Sequence, residues 1–592
     1  MKSLKFLLVA FFRSLSIRTL LIFLFSIILF IADRLLLVYT PSSIVDGLVE
    51  SKINILSFVL VVILVVSGYM NGRLQLMSQK ELFRFRLKEI SKLQLLAIRI
   101  PLSYIETGDA KQKIDGAEQA VAYGNDQGIE SCLSSIQKLI MCSISIILYF
   151  LPFYKVPAWL LIIVLVTMVV NYFISHKIYI NLEQAQEAYN ESRYRDYYLQ
   201  RVIQSNEQEM SIRMLNASDR LLDKLRAEQS KSVGFIEYRE KLNFTSRFFR
   251  NILSVFRTGI LLYLLITYVK IDVAGFVLYL GIFLTIDNLL DEFHLSIDNI
   301  KAQLPFIKKW HEFYKTPYVE KILKQNNTEH GSVSAVLGNN SADEKHSDVL
   351  LEIDKLYFSY PGGRELYKGL SIEVKEGERI AIIGKNGCGK TTLVKLLAGL
   401  CTPSSGSVKI NSNSSRPIVS AALQEDKLFS FTLRENLIFD RTSACSDERI
   451  MDVLTSLGLM DRIMSLPDKL DTYVGRELDD NGVNFSGGES QRILIARALL
   501  YDSDILLMDE PTAALDVKSE YDLYKGIEKL AGNRTIFFVS HRLASTRLCN
   551  RIIFFDDERI VIGTHEELYR EVSAYREMYD IQADVYLSKE EV

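Results

Sequence analysis

Two long apolar runs without a charge constrain this chain more than any other feature of its sequence. Residues 53–72 form an uncharged run of 20 residues, and residues 156–176 form one of 21. A helix needs about 20 apolar residues to cross the roughly 30 Å of hydrocarbon in a bilayer. These runs therefore exclude a wholly soluble protein and predict a helical membrane domain.

Four further segments extend this prediction to six spans. One uncharged run covers residues 139–154, and three weaker segments are interrupted by charge, at about 17–38, 249–269 and 272–291. Short connections that carry only Lys52, Lys155 and Lys270 alternate with two long, polar and strongly basic segments. The positive-inside rule then places the amino terminus and both long segments in the cytoplasm. A cleavable signal peptide is the alternative for residues 1–38, but no small-residue cleavage site follows this run.

Ionisable residues interrupt three of the predicted spans, namely Asp33 and Arg34 in the first, Arg250 and Arg257 in the fifth, and Asp287 in the sixth. Spans five and six form a hairpin that turns near residues 270–272. At 1.5 Å per residue, Arg257 lies about 20 Å and Asp287 about 22 Å from that turn. Equal depth and opposite charge predict an ion pair, with a water-filled cavity or another helix as the alternative partner of each. For Asp33 and Arg34, a substrate contact and a structural ion pair both stay open.

The remainder of the 592-residue chain has an ordinary polar composition. A net charge of -3 gives no electrostatic reason to expect nucleic-acid binding. The six cysteines show no CxxC pattern, which predicts reduced thiols rather than disulfides or a metal site. Residues 324–348 are polar and rich in turn formers, as in a flexible linker. After them, short β-branched runs alternate with helical segments, which is typical of an α/β domain with a largely parallel sheet.

A glycine-rich loop follows the first strand of the parallel-sheet pattern. The strand ERIAIIG leads into G-x-x-x-x-G-K-T and then into a helix, which is the arrangement this phosphate-binding motif requires. Its glycines let backbone N–H groups wrap a polyphosphate, and the helix N-terminus adds a favourable dipole. We expect Lys390 to reach the β- and γ-phosphates and the Thr391 hydroxyl to bind Mg²⁺. The predicted nucleotide-binding residues here are Gly384, Lys385, Asn386, Gly387, Cys388, Gly389, Lys390, Thr391 and Thr392.

Polar residues also end two later strands. The apolar strand 505–508 runs into Asp509 and Glu510. A carboxylate in this position holds Mg²⁺ directly or through water, and a second one can orient or deprotonate an attacking water. His541 follows the strand RTIFFVS, where taken alone it could equally be structural.

A second anion site is predicted where Ser486, Gly487 and Gly488 begin another helix. It lies about 100 residues after the glycine-rich loop. Two phosphate-binding helix ends in one domain are explained if two copies of the chain meet head to tail.

These motifs, in this order, resemble the ATP-binding cassette (ABC) transporter family. The resemblance implies that Tyr360 stacks on adenine and that Gln424, in the Q-loop, senses Mg²⁺ together with Thr391 and Asp509. It makes Glu510 and His541 the catalytic residues. The remaining residues it assigns to nucleotide binding are Ser486, Gly487, Gly488 and Glu489 of the signature and Asp516 of the D-loop.

The signature departs from the family's commonest form. It reads FSGGE in place of LSGGQ, with Phe485 and Glu489 as the changed residues. We expect Phe485 still to pack in the core, and both changes leave Ser486 and Gly488 available. The preceding stretch, TYVGRELDDNG, is longer and more acidic than usual, which leaves open how the cassette contacts this loop.

The membrane half is similar to that of the exporter branch of the family. The fold class implied is an all-α six-span transmembrane domain of the ABC exporter type at 1–305, a helix end and linker at 306–348, and an α/β P-loop NTPase domain at 349–592. By the same resemblance, coupling helices at the tips of the long cytoplasmic segments lie near 107–114 and 211–219.

The resemblance implies an ATP- and Mg²⁺-dependent exporter of a peptide, lipid or amphipathic compound. Uptake through the same fold and a non-transporting, ATP-gated regulator are the alternatives. One chain supplies half a transporter, so a second half is an expected partner, with a homodimer favoured over a heterodimer. The other expected partners are the lipid bilayer and an unknown transported substrate, with no nucleic acid. The expected location is a bacterial plasma membrane, crossed several times, with the ATP-binding domain in the cytoplasm.

Overall fold

The computed structural model describes most of the chain. The described residues are 2–49, 55–122, 127–149, 206–268, 272–326, 349–411, 419–439, 445–511, 517–540, 549–556 and 559–587, with scattered positions between 166 and 204. Most of the predicted fourth span, most of the linker, Asp516 and His541 lie outside this set.

The chain divides into two compact units. The first comprises residues 1–98 and 112–321, and the second comprises residues 99–111 and 322–592. A short piece of the predicted membrane domain therefore packs with the carboxyl-terminal unit. The domain limits drawn from the sequence stay a prediction.

The first unit is helical throughout its described residues. Its helices are α1 Lys2–Ser14, α2 Ile17–Val49, α3 Ile55–Arg99, α6 Gly128–Tyr149, α7 Asn206–Met214, α8 Ser218–Tyr268, α9 Val273–Tyr314 and α10 Pro317–Asn326, while α4 Leu102–Ile105 and α5 Gly108–Val121 lie where the chain passes between the units. Among the described residues, α2, α3, α6 and α9 are long and apolar enough to cross a membrane. They contain the predicted first, second, third and sixth spans. The predicted fifth span forms the end of α8.

Two of these helices are far longer than a bilayer is thick. At 1.5 Å per residue, the 45 residues of α3 extend about 68 Å and the 42 residues of α9 about 63 Å. Hydrocarbon accounts for only about 30 Å of either length. The polar, basic segment after residue 72 thus continues the second span as one helix.

The core of the membrane unit forms where α2, α6 and α9 pack together. Buried side chains there include Val38, Met141 and Leu289. A Cβ at Gly281 would lie 3.3 Å from a methyl group of Val38, so a glycine at this position lets α9 approach α2 closely.

Buried polar contacts inside this unit test the predicted ion pair. Arg257 pairs with Asp287, and the Ser254 hydroxyl also donates to Asp287. Arg257 is buried, with only 4% of its side chain exposed. The pair predicted by counting residues from the hairpin turn is therefore present. Arg34 contacts Glu292 at 3.3 Å, which is the structural ion pair that the sequence left open.

The second unit contains two sheets. Its strands are β1 Val349–Ser359, β2 Glu365–Lys375, β3 Arg379–Gly384, β4 Ser405–Ile410, β5 Val419–Ala422, β6 Ile505–Asp509, β7 Thr535–Val539, β8 Arg551–Asp556 and β9 Arg559–Gly563. Strands β2, β1 and β4 form an antiparallel sheet. The six-stranded sheet has the order β5-β6-β7-β3-β8-β9, and only β9 in it is antiparallel. The largely parallel sheet predicted from the β-branched runs is therefore present.

Helices flank these sheets and complete the second unit. They are α11 Lys390–Leu397, α12 Leu433–Leu437, α13 Asp447–Ser456, α14 Met460–Met464, α15 Gly487–Leu500, α16 Val517–Ala531, α17 His565–Glu571 and α18 Ser573–Leu587. One core joins the two sheets around α11, and another joins α12 to α16 with the opposite face of the parallel sheet. In parallel strands the carboxyl ends share one edge, so the ends of β3 and β6 lie on the same side of the sheet.

Candidate nucleotide-binding site

The glycine-rich loop connects β3 to α11. A Cβ at Gly384 would lie 2.7 Å from the Cβ of Phe555 and 2.8 Å from its carbonyl oxygen, so only glycine fits at the end of this strand. Gly389 has a φ of 113° directly before α11, a backbone conformation that L side chains rarely adopt. The two residues set the path of the loop, which brings backbone groups to the N-terminus of α11.

The Lys390 ammonium lies inside the curve of this loop. Its Nζ donates to the carbonyl oxygens of Gly384 at 2.9 Å and Lys385 at 2.8 Å. Burial lowers the pKa of Lys390, and the nearby Glu510 and Asp509 carboxylates oppose that shift. The lysine is therefore a largely desolvated cation that backbone carbonyls hold within the loop predicted to bind phosphate.

Two side chains that the sequence analysis missed support the loop from outside. The Tyr367 hydroxyl donates to the Gly389 carbonyl at 2.6 Å, and Tyr367 is almost completely buried. Arg364 donates to the Gly387 carbonyl at 2.9 Å. Both belong to the β2 region, about 20 residues before the loop. Leu370, Ile372 and Val374 alternate along β2, but Tyr367 falls out of phase with them, so no pattern in the sequence indicated its burial or its partner.

Asp509 ends β6 in a buried position. Burial raises the pKa of its carboxyl, while the nearby Thr391 hydroxyl lowers it. Neither carboxylate oxygen makes a hydrogen bond of ordinary geometry within the described part of the protein. An acidic group buried beside a hydroxyl in this way suits Mg²⁺, which prefers oxygen ligands and keeps water and substrate phosphates in its shell.

No all-protein metal cage accompanies this pair. In the described ranges, no cluster of three or more His, Cys, Asp or Glu side chains could hold a metal ion. Thr391 and Asp509 supply two oxygen groups, and the preference of Mg²⁺ for water and substrate phosphates as further ligands is compatible with this pair.

Glu510 has an unusual backbone conformation at the strand end. Its φ is +50°, which is uncommon for a residue with a side chain, and its N–H donates to the Val539 carbonyl of β7 at 3.0 Å. The Gln424 amide donates to the Glu510 carboxylate at 3.2 Å. Gln491, from the helix after the signature, donates to the Glu510 carbonyl at 2.7 Å. Gln491 was not predicted, because its partner lies 19 residues away and is a backbone atom.

The signature begins α15 with a capping box. Ser486 is the N-cap residue and accepts from the Glu489 N–H, while the Glu489 carboxylate accepts from the Ser486 N–H at 2.8 Å. Glu489 also contacts Arg462 at 3.3 Å. Phe485 packs against the helical core, as expected. Glutamate in place of the commoner glutamine thus keeps the helix start intact and adds an ion pair. A Cβ added at Gly487 would meet no atom within 4 Å.

The aromatic residue predicted to meet adenine lies beside α11. The Tyr360 hydroxyl is 3.5 Å from the Thr392 hydroxyl, and its ring packs edge-on against Phe358. Burial raises the pKa of Tyr360, so the phenol is neutral at physiological pH. The ring is half-buried and packs against the core that joins the two sheets.

Residues 99–111 contact the nucleotide-binding unit just behind this loop. The Leu102 N–H donates to the Leu400 carbonyl at 2.9 Å. Lys395, on α11, contacts Glu106 at 3.4 Å and Glu425, next to Gln424, at 3.3 Å. Burial alone would lower the pKa of Lys395, but the two carboxylates outweigh it and raise the pKa. The contact lies at residues 102–106, directly before the coupling helix predicted at 107–114.

The other predicted coupling segment falls at the turn between α7 and α8. Asn216 has a φ of 49° there, and α8 begins two residues later. Asn216 is one of the four non-glycine residues with positive φ in the described part of the chain. The predicted helix at 211–219 is thus the end of one helix, a tight turn and the start of the next.

Comparison with known proteins identifies the domain that carries this site. Residues 367–513 match the family described as ABC transporter. An ABC multidrug transporter of Aspergillus fumigatus is 37% identical over 246 residues, which is 39% of this chain and 18% of that protein. An ATP-dependent lipid A-core flippase of Desulfotalea psychrophila is 36% identical over 241 residues, or 39% of this chain and 41% of that protein. The matches thus span less than half the length of these curated relatives.

A structural likeness covers nearly the whole chain. A bacterial Atm1-family ABC exporter with ATP bound has a TM-score of 0.75, with 21% sequence identity, over 96% of this chain and 98% of that one. The predicted fold class, a helical membrane region followed by a nucleotide-binding domain, is confirmed.

Proposed function

We propose that this chain, an ABC transporter by its matched domain and its exporter fold, is half of an ATP-driven membrane exporter. The observation that carries the proposal is the position of Glu510. Glu510 directly follows β6, at the same edge of the sheet from which the glycine-rich loop leaves β3. The Gln424 amide donates to its carboxylate at 3.2 Å. A carboxylate oriented beside a phosphate-binding loop can act on a water that attacks the γ-phosphate.

The residues divide the work of ATP hydrolysis. The backbone of residues 384–389 and the Lys390 ammonium bind the phosphates, and Tyr360 stacks on the base. Thr391 and Asp509 would hold Mg²⁺, which would neutralise charge that develops on the phosphates. Gln424 orients the Glu510 carboxylate toward the attacking water, and the carboxylate accepts a proton from that water. His541 and Asp516 are included in the proposed site on the basis of their sequence motifs alone.

A second copy supplies the other face of the site. The capping box leaves the N–H groups of Gly487 and Gly488 at the start of α15 available to a phosphate. In our proposal this helix start faces the nucleotide bound by the partner chain. Because one chain contains both Glu510 and the signature, a homodimer forms two complete sites, and we favour it over a heterodimer.

Transport follows from the difference between nucleotide-bound and nucleotide-free dimers. Moving a two-state gate from 1:99 to 99:1 requires about 5.5 kcal/mol of differential binding. Two ATP molecules bound between two chains are a sufficient source, and hydrolysis resets the gate. The cargo proposed is a peptide, lipid or amphipathic compound. The relatives named for multidrug and lipid A-core transport support this class.

The test is hydrolysis by the full-length protein in lipid nanodiscs. Glu510→Gln should lower ATP turnover about 100-fold or more, the range expected for loss of a general base, while ATP still binds. Glu528→Gln is the matched control, because Glu528 makes a surface ion pair with Arg379 elsewhere in the same unit. Full turnover in Glu510→Gln, or equal loss in the control, contradicts the assignment.

A vesicle experiment tests direction. ATP added outside inverted membrane vesicles should drive cargo inward, with no such movement in Glu510→Gln. Movement only in right-side-out vesicles loaded with ATP would indicate uptake instead of export.

A further inference from the structure

A carboxylate lies in the middle of a membrane helix. Asp33 is separated from Arg18 by 15 residues and from Asp46 by 13. At 1.5 Å per residue it lies about 22 Å from the first and about 20 Å from the second. Arg34 is the other charged residue between those two positions. Asp33 therefore lies near the centre of the hydrocarbon, where a charge is costly unless it has a partner.

Neutral donors on α3 hold this carboxylate. The Ser67 hydroxyl donates to Asp33 at 2.9 Å and the Asn71 amide at 3.5 Å. Both donors are buried and lie four residues apart on one face of α3. Gly68 lies between them, where a Cβ would be in ordinary van der Waals contact with a carboxylate oxygen, at 3.5 Å. The two helices thus form a polar pocket around Asp33 without neutralising it.

The neighbouring charges are already paired. Arg34 contacts Glu292 at 3.3 Å, and Arg257 pairs with Asp287. Among the described residues, no basic side chain lies within ion-pair distance of Asp33. The side chain is also only half-buried, whereas its two donors are buried. One unit of negative charge is therefore left with an accessible face.

A second polar group nearby also lacks a partner. Tyr149, at the end of α6, is 1% exposed, and its hydroxyl makes no hydrogen bond within the described ranges. Its phenol lies within electrostatic reach of Arg34, Tyr39 and Asp33. Buried polar atoms without a partner are uncommon and costly in folded proteins. The oxygen lone pairs and the ring faces of a tyrosine both attract a positive charge.

We propose that Asp33 is the charged anchor of a binding site for a lipophilic organic cation in the membrane unit. This inference rests on the proposed exporter function and narrows its cargo to a chemical class. The cation supplies the charge that Asp33 lacks; the buried Tyr149 does not touch it and acts only through electrostatic attraction. A neutral or anionic compound of the same shape gains nothing from Asp33.

The test compares two ions of nearly equal size and shape, tetraphenylphosphonium and tetraphenylborate, by equilibrium dialysis against the full-length protein in nanodiscs without ATP. Asp33→Asn keeps an oxygen acceptor for Ser67 and should weaken phosphonium binding about tenfold or more without weakening borate binding. Asp46→Asn is the matched control, since it removes the same charge from the same helix at an exposed position. Phosphonium binding that is absent in the unaltered protein, retained in Asp33→Asn, or equally weakened in Asp46→Asn overturns the proposal.

A measurement on the unaltered protein covers the case in which Asp33→Asn does not fold. Dicyclohexylcarbodiimide labels carboxyl groups in apolar surroundings, and peptide mass spectrometry reports the labelled residue. Phosphonium should protect Asp33 in proportion to its binding, and borate should not. Labelling that phosphonium leaves unchanged contradicts the site. Because neither measurement uses ATP, their failure is distinguishable from failure of the proposed ATPase, which Glu510→Gln tests separately.

Discussion

Breaking the Arg257–Asp287 pair should destabilise the membrane unit strongly. In Asp287→Asn the amide oxygen can still accept from Ser254, so the change removes the charge and little else. Arg257 is then left as a buried cation with only 4% of its side chain exposed. Removing one partner of a buried pair costs about 3–5 kcal/mol, and Asp291, whose charge also acts on Arg257, places the expected cost near the lower limit of that range. We expect a loss of that size in the free energy of unfolding.

The control is an exposed ion pair in the same unit. Arg213 and Glu209, one helical turn apart, pair with 78% and 51% of their side chains exposed. Such a pair contributes only about 0.3–0.5 kcal/mol. Glu209→Gln should therefore change the stability several times less than Asp287→Asn.

A double variant separates charge from packing. Replacing both members, as in Arg257→Met with Asp287→Leu, leaves no buried charge and should recover most of the lost stability. The assay is unfolding in mixed micelles, followed by tryptophan fluorescence and checked for reversibility. The reasoning is refuted if Asp287→Asn costs no more than Glu209→Gln, or if the double variant is as unstable as the single one.

Three further predictions concern the nucleotide-binding unit. Glu489→Ala should lower the stability of this unit by about 1 kcal/mol, because the signature helix loses its capping box. Glu489→Gln should retain nearly all of that stability. Equal thermal denaturation curves for the two variants would contradict the role of the capping box. Glu106→Gln should leave ATP affinity unchanged but reduce the effect of ATP on hydrogen exchange of residues 99–111, since the contact with α11 is weakened; an undiminished ATP effect would show that this contact does not transmit the nucleotide state. Tyr367→Phe should weaken ATP binding several-fold, because the Gly389 carbonyl loses its donor, and an unchanged affinity in a nucleotide titration would remove Tyr367 from the support of the loop.

Features determined by contiguous sequence could be predicted. The glycine-rich loop needs a strand before it and a helix after it, and both are local. The length of an uncharged run fixes whether a helix can span a bilayer, and α2, α3, α6 and α9 follow from that rule. The Arg257–Asp287 pair could also be found, because a short hairpin converts residue counts into depth.

Contacts between distant segments could not be predicted. The hydroxyl of Tyr367 and the carbonyl of Gly389 are 22 residues apart, and no periodicity links them. The docking of residues 102–106 depends on the surface of α11, so the family resemblance located it only to within about five residues. The role of Glu489 was accessible, since Ser486 followed three residues later by glutamate is the pattern of a capping box.

The central claim is that nucleotide is held between the loop of one chain and the signature helix of another. Cys388 provides a native thiol in the loop, and Gly487→Cys introduces one at the helix start, where the structure leaves room. In a background with the other five cysteines replaced by serine, a short bismaleimide should join two chains into a species of twice the mass, and Mg-ATP should change its yield. Cross-linking that leaves every chain a single protomer, with and without Mg-ATP, would contradict the claim.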